Sequence, residues 1–183
     1  PLPYYFGELI YLLTNNLLLT VKIMFTISFL GSYAFMYFLA KKLWGKLGGS
    51  VSAIFYSFAP YHAVDFYVRG AMGEMWALML FPAIFWAIVK LRENTRVANL
   101  LLLGIFLASL IMSHNLSTMI FIPFITAWIM LLFFIKRDKK FLLYSFLSFV
   151  LAIFLSAFYL FPMLTEKNLI HIDTTSYGYF SYT

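Results

Sequence analysis

Three stretches of this chain, residues 97–113, 116–135 and 141–165, run for 17 residues or more without a single Asp, Glu, Lys or Arg. Uncharged blocks of that length match the roughly 30 Å hydrocarbon core of a bilayer, which takes about 20 helical residues to cross. The chain as a whole is 63% hydrophobic and 11% charged, where soluble domains run at about 45 to 50% apolar and roughly 25% charged. Its mean hydropathy of +0.90 excludes a water-soluble fold. Inside lipid every backbone polar group has to be paired within the protein, so only helices or a closed barrel can cross. The blocks lack the alternation of a barrel strand, which leaves helices.

The expected fold is therefore all-α, a polytopic helical membrane protein of about six transmembrane helices. The spans are read at about 17–40, 47–60, 72–90, 97–113, 116–135 and 141–164. The second is the least regular. It holds Gly48, Gly49, Ser50, Ser52 and Ser57 and ends at Pro60, so a short or broken helix packed closely through small residues is expected there. The chain opens Pro1-Leu2-Pro3 without an initiator Met and ends Phe180-Ser181-Tyr182-Thr183. It reads as a piece of a longer polypeptide: one transmembrane domain over 1–183, with 1–16 an interfacial segment, 17–164 the spans and 165–183 the start of an extracytoplasmic region. No basic stretch and small-residue cleavage site precede the first apolar block, so that block is a mature helix and not a signal peptide. The absence of cysteine removes disulfides, thiolate metal ligands and Cys nucleophiles together.

A net charge of +6 raises the question of nucleic acid, and the placement of the basic residues answers it. Lys41, Lys42 and Lys46 follow the first span, Lys90, Arg92 and Arg96 the third, and Lys136, Arg137, Lys139 and Lys140 the fifth. Ten of the 13 basic residues thus fall in alternate loops. This is the positive-inside pattern repeated in phase, which makes 41–46, 90–96 and 136–140 cytoplasmic and leaves no basic patch for nucleic acid. Lys22, near the outer end of the first span, can snorkel to the interface.

With that orientation, Glu8, Asp65, Glu74, Glu166, Asp173, Arg69 and all three histidines, His62, His114 and His171, gather at the outer face. Only Glu93 and Asp138 lie inside. Acidic residues contribute little to orientation, so no insertion rule requires that asymmetry.

The densest polar segment is 59–74. A helix starting at Pro60 places His62, Asp65 and Arg69 at i, i+3 and i+7, close to one face, with Asp65 and Arg69 able to pair at i, i+4. Gly70 and Gly73 let the chain turn into the third span and leave Glu74 in its first turn, where the helix dipole favours a carboxylate. One reading is a shelf for an anionic or polyol ligand, with arginine for phosphate and carboxylates for a hydroxyl proton or a divalent cation. The other is a set of ion pairs that cap helices beside aromatic-belt anchors Tyr61, Tyr67 and Trp76. His114 and Asn115 sit in the very short outer turn between the fourth and fifth spans, where they either cap helix ends or reach the shelf. Glu8 belongs to the interfacial segment 1–16. Three scattered histidines do not make a metal site, and no Ser-His-Asp order, zincin motif, P-loop or dinucleotide fingerprint occurs.

Four strings taken in order carry a resemblance: Tyr56-Ser57-Phe58-Ala59-Pro60-Tyr61-His62, Tyr67-Val68-Arg69-Gly70-Ala71 with Glu74 beyond it, Ser113-His114-Asn115, and Ser156-Ala157-Phe158-Tyr159-Leu160-Phe161-Pro162. Together they resemble a family of large bacterial and archaeal membrane proteins labelled 6-pyruvoyl-tetrahydropterin synthase-related. The pterin synthase in that label is a soluble zinc enzyme with histidine ligands. These spans cannot supply its chemistry, and pterin synthesis is excluded. The family looks like a branch of the GT-C type of multi-spanning glycosyltransferases, which implies transfer of a sugar from a polyprenyl-phosphate carrier at the outer face in cell-envelope glycan synthesis. The resemblance implies that Arg69 meets the lipid phosphate, that Glu74 and His114 line the groove, and that the catalytic carboxylate lies upstream of Pro1. The reading from another class is a non-catalytic membrane protein that binds or moves a lipid-linked or anionic substrate, anchored by Arg69.

Overall fold

The computed structural model describes residues 1–166, and His171 and Asp173 lie outside the described residues. Helices account for nearly all of these: α1 (Leu2–Thr14), α2 (Leu17–Ser57), α3 (Pro60–Ala63), a π-helical turn (Val64–Arg69), α4 (Met72–Glu93), α5 (Val97–Ser113), α6 (Asn115–Lys136) and α7 (Lys139–Thr165). Four of them, α2, α4, α6 and α7, are long and apolar enough to cross a membrane, and α5 is a shorter apolar helix. The fold is that of a polytopic helical membrane protein.

The first two expected spans form one helix by hydrogen bonding, α2, but it is not straight. Gly45 sits at φ 77°, ψ −175°, outside helical geometry. Beyond it the chain returns along itself: Gly49 packs against the side chains of Tyr37 and Lys41, and Phe58 meets Phe29 edge to face with centroids 5.6 Å apart. The returning arm, 46–57, is about 18 Å long at 1.5 Å per residue, too short to cross a bilayer core unaided. It is anchored on α4 by the Tyr56 hydroxyl, which donates to the Leu78 carbonyl at 2.7 Å. Counting the two arms of α2 with α4 to α7 gives six helical legs.

At the turns, side chains satisfy the helix ends that lack intrahelical partners. The Asn16 side chain accepts from the Leu19 N–H, and Asp138 accepts from the N–H groups of Lys140 and Phe141. The core is formed on α4, whose Ala77, Ala83, Ile84, Ala87, Ile88 and Leu91 are fully buried. Small residues bring the other legs close. Gly104 of α5 faces Leu151 of α7, and the Ser148 hydroxyl of α7 donates to the Leu100 carbonyl.

The three basic loops come together at one end of the bundle. Lys42 pairs with Glu93 at 2.6 Å, and Arg92 donates to the Leu132 carbonyl while lying over the Phe141 ring. At the opposite end α1 lies across the mouth, with Phe6 against Trp76 of α4 and Tyr5 near Phe158 of α7.

Gly45 makes the reversal possible, because its positive φ is open to glycine and strained for any residue with a Cβ. Gly45→Ala is expected to cost about 1–3 kcal/mol, read as a lower midpoint in thermal denaturation of the detergent-solubilised protein. An unchanged midpoint would mean that the two arms do not depend on this turn.

Candidate functional site

The end of the bundle under α1 carries Asp65, the one fully buried carboxyl among the described residues. After the returning arm of α2, Pro60 opens α3 at a helical first-turn position, where its missing N–H costs nothing. Within one turn the hydrogen bonding widens into the π turn, which closes at Gly70 in the left-handed region. α4 then starts at Met72, with Glu74 in its first turn.

The expected pair of Asp65 and Arg69 is present: Arg69 Nη1 donates to Asp65 Oδ1 at 2.9 Å. The same Nη1 lies 2.9 Å from Glu74 Oε2 and 3.2 Å from the Tyr61 hydroxyl, which itself donates to Glu74 Oε1. One guanidinium nitrogen therefore joins two carboxylates and a phenol. Their exposures differ sharply, with side chains of Asp65, Glu74 and Arg69 at 0%, 12% and 48%. Asp65 Oδ2 is buried without a hydrogen-bond partner among the described residues. Burial raises the Asp65 carboxyl above its ordinary range, and the nearby Glu74 charge adds to the rise, while Arg69 and His114 pull the other way. The hydrogen bond to Glu74 likewise raises the Tyr61 phenol.

His114 belongs beside this cluster. Gly73 is pressed so closely on the end of α5 that a Cβ there would sit 2.8 Å from the Ser113 carbonyl oxygen, and the His114 Cδ2 edge lies 3.8 Å from the same point. The imidazole also caps α6, its Nδ1 accepting from the Ser117 N–H at 3.3 Å with the Ser117 hydroxyl 2.7 Å away. With Nδ1 accepting, the proton of the neutral ring is on Nε2. The cap of α6 is thus this histidine, with Asn115 the first helical residue.

Two expected site residues lie apart from the cluster. His62 Nε2 has no hydrogen-bond partner among the described residues, so the imidazole is not joined to Asp65 or Arg69 through it. It is buried against the Tyr56 ring, with centroids 4.9 Å apart, and burial lowers its pKa. There it lines a cavity of about 280 Å³ between the arms of α2 and the π turn. Asn115 turns towards α7, where its Oδ1 accepts from the Tyr159 hydroxyl at 2.9 Å and its Nδ2 meets Met163 Sδ. Glu8, placed by the sequence only in an interfacial segment, lines a groove of about 730 Å³ between α1 and α2 that ends at Gly70 and Met72. Among the described residues, no group of three or more His, Asp or Glu is placed to hold a metal ion.

The raised carboxyl of Asp65 has a consequence for stability. The folded protein keeps this proton over a pH range in which the unfolded chain has released it. The contribution is fully present below the ordinary value of 3.8 and is lost as pH rises through the folded-state value. Asp65→Asn retains an oxygen for Arg69 and removes the titration. Wild type is expected to lose thermal stability relative to Asp65→Asn as pH is raised from about 4 to about 8. Parallel curves would mean that Arg69 keeps Asp65 ionised throughout.

Comparison with known proteins bears on the chain as a whole. It is 27% identical over 173 residues to an uncharacterised protein of Lactococcus lactis subsp. cremoris (strain MG1363), a match covering 90% of this chain and 28% of that protein. The chain therefore spans little more than a quarter of that relative's length. No solved structure matches. A family profile described as "6-pyruvoyl-tetrahydropterin synthase related domain; membrane protein" matches residues 1–181, so the chain belongs to this family of membrane proteins.

Proposed function

We propose that this protein is a glycosyltransferase-like membrane protein of the GT-C type, which takes a sugar from a polyprenyl-phosphate carrier at the extracytoplasmic face in cell-envelope glycan synthesis. The observation that carries the reading is the state of the Arg69 guanidinium. All three of its contacts are made through Nη1, while Nε and Nη2 have no hydrogen bond among the described residues and the side chain is about half exposed. A planar fork fixed at one corner and open along its other edge suits the oxygens of a phosphate.

Two ionised carboxylates around one guanidinium would leave a net negative charge and repel such a ligand. Burial favours the neutral form of Asp65, and with Asp65 protonated the three side chains sum to zero. A divalent cation between Glu74 and the phosphate would act in the same direction. The positive-inside rule supports the sidedness, since the basic loops share the far end of the bundle and would face the cytoplasm. In that orientation the Arg69 end opens at the outer interface, where membrane lipids and a lipid-linked sugar have direct access.

The second reading is binding or movement of a lipid-linked or anionic substrate without sugar transfer. It is favoured by the engagement of both carboxylates with Arg69, which leaves neither of them free to take a substrate proton.

The test is binding of undecaprenyl phosphate to the full-length protein in lipid nanodiscs, with Arg69→Ala and Glu74→Ala compared after both variants are shown to be folded. A hydrogen bond to a charged group contributes about 1.5–3 kcal/mol, so Arg69→Ala is expected to weaken binding by roughly tenfold to a hundredfold. Glu74→Ala, which releases the guanidinium from its fixed position, is expected to have a smaller effect in the same direction. Equal binding by wild type and Arg69→Ala would remove the phosphate site. Phosphate binding without sugar transfer from a glycosylated carrier would favour the second reading.

A further inference from the structure

The largest of the described cavities is not the one beside His62 but the groove of about 730 Å³ between α1 and the outer end of α2. That volume lies within the range of roughly 300–1,000 Å³ typical of small-molecule sites. Tyr4, Gly7, Glu8 and Tyr11 line it from α1, a mainly apolar wall that includes Val21, Met24 and Phe25 lines it from α2, and it reaches Gly70, the residue after Arg69. Phe25 also packs edge to face on Phe66 of the π turn, with centroids 5.0 Å apart, so the groove and the charged cluster share a wall.

Its lining limits what it can hold. Tyr4, Glu8 and Tyr11 recur at i, i+4 and i+7 on α1, which presents one carboxylate and two phenols along a single helix face. Unlike the carboxylates of Asp65 and Glu74, that of Glu8 makes no ion pair or hydrogen bond among the described residues. The carboxylate is exposed at the groove, and a group that covered it without donating hydrogen bonds would strip water from a charge at a cost, a demand that the apolar side chains of α2 do not make. A lone carboxylate is also a poor cage for a divalent cation, which takes six or more oxygens. A ligand rich in hydroxyl groups supplies donors for the carboxylate and both donors and acceptors for the phenols, and its ring faces can lie on the aromatic rings. Space is kept open by glycine: a Cβ at Gly7 would meet nothing within 4 Å.

We propose that this groove is the subsite for the hydroxyl-rich moiety, a sugar or polyol, of a ligand whose phosphate meets Arg69, with Glu8 accepting hydrogen bonds from its hydroxyls. The inference rests on the phosphate site proposed above and adds the part of the ligand that Arg69 does not recognise.

Two probes separate the two claims: undecaprenyl phosphate, and undecaprenyl phosphate carrying one glucose, each titrated into the full-length protein in nanodiscs. Wild type is expected to bind the glucosylated probe more tightly. Glu8→Gln, which keeps the shape of the side chain, is expected to lower that preference by about tenfold, the scale of one charge-assisted hydrogen bond, and to leave the bare phosphate probe unaffected. Gly7→Phe fills the groove from a helical position that tolerates a side chain, and is expected to abolish the preference, again without weakening the bare probe. Gly7→Ala, which adds one methyl group and favours the helix, is expected to behave as wild type. If Glu8→Gln and Gly7→Phe retain the full preference, the subsite is wrong while the phosphate site stands. If Gly7→Phe weakens both probes equally or prevents folding while Glu8→Gln has no effect, the groove holds lipid or protein, and the subsite is again wrong. If wild type binds neither probe, the phosphate site falls and the subsite with it.

Discussion

The constraint on which the rest depends is that a backbone N–H or C=O left unpaired in hydrocarbon costs several kcal/mol. It forces the legs of this protein to be helical and confines the changes of backbone geometry at Gly45 and in the π turn to their ends. Helix ends in turn leave several backbone groups without intrahelical partners, so the turns are where polar side chains are structurally required. Asn16 and Asp138 serve that need alone. His114 serves it while lying beside the charged cluster. A capping role and a place at a site are thus not alternatives at His114: the cap fixes the ring and its tautomer, and a fixed ring is what a site needs.

The two ends of the bundle handle charge differently. At the basic end the ion pair of Lys42 and Glu93 is about half exposed on both sides, and such pairs contribute little to stability. Arg92 is used there to occupy a carbonyl at the end of α6 and to cover Phe141, while Lys90 lies over the Trp86 ring. At the other end a carboxylate is fully buried with one oxygen unpartnered, and a single guanidinium nitrogen serves three oxygens. Orientation and helix capping account for the basic end. They do not account for burying Asp65, a position at which Asn would keep the contact to Arg69 without the cost of desolvating a charge.

Much of this was legible in the sequence, and the reasons are local. Uncharged apolar blocks mark the long helices, the alternation of basic loops shows which turns share an end, and the four-residue spacing of Asp65 and Arg69 predicts their pairing. Glu74 follows from the glycines that turn the chain into α4. What could not be read depends on packing or on a change of helical geometry. The sequence places a loop at 41–46 between the first two spans, and the reversal at Gly45 falls there; what it does not show is that helical hydrogen bonding runs up to a single glycine at positive φ on both sides. The π turn is a shift of hydrogen-bond register with no residue signature, and the seat of His62 against Tyr56 is a matter of packing. Asn115 bonds with a tyrosine 44 positions further along the chain. Glu8 became notable only once α1 was laid against α2.

The division of labour among the carboxylates follows from these placements. Asp65 and Glu74 hold Arg69 through one nitrogen, and burial favours the neutral form of Asp65, so both groups are already engaged and neither is placed to accept a proton from a substrate. Their effect is positional: with Tyr61 they fix one corner of the fork and turn the rest outward. Glu8 is held by nothing comparable among the described residues, and it lines a groove that also touches Gly70, the residue after Arg69. An engaged cationic corner beside a groove that holds an unengaged carboxylate suits a ligand with unlike ends, anionic at one and hydroxylated at the other, better than a simple anion, for which the groove would be superfluous.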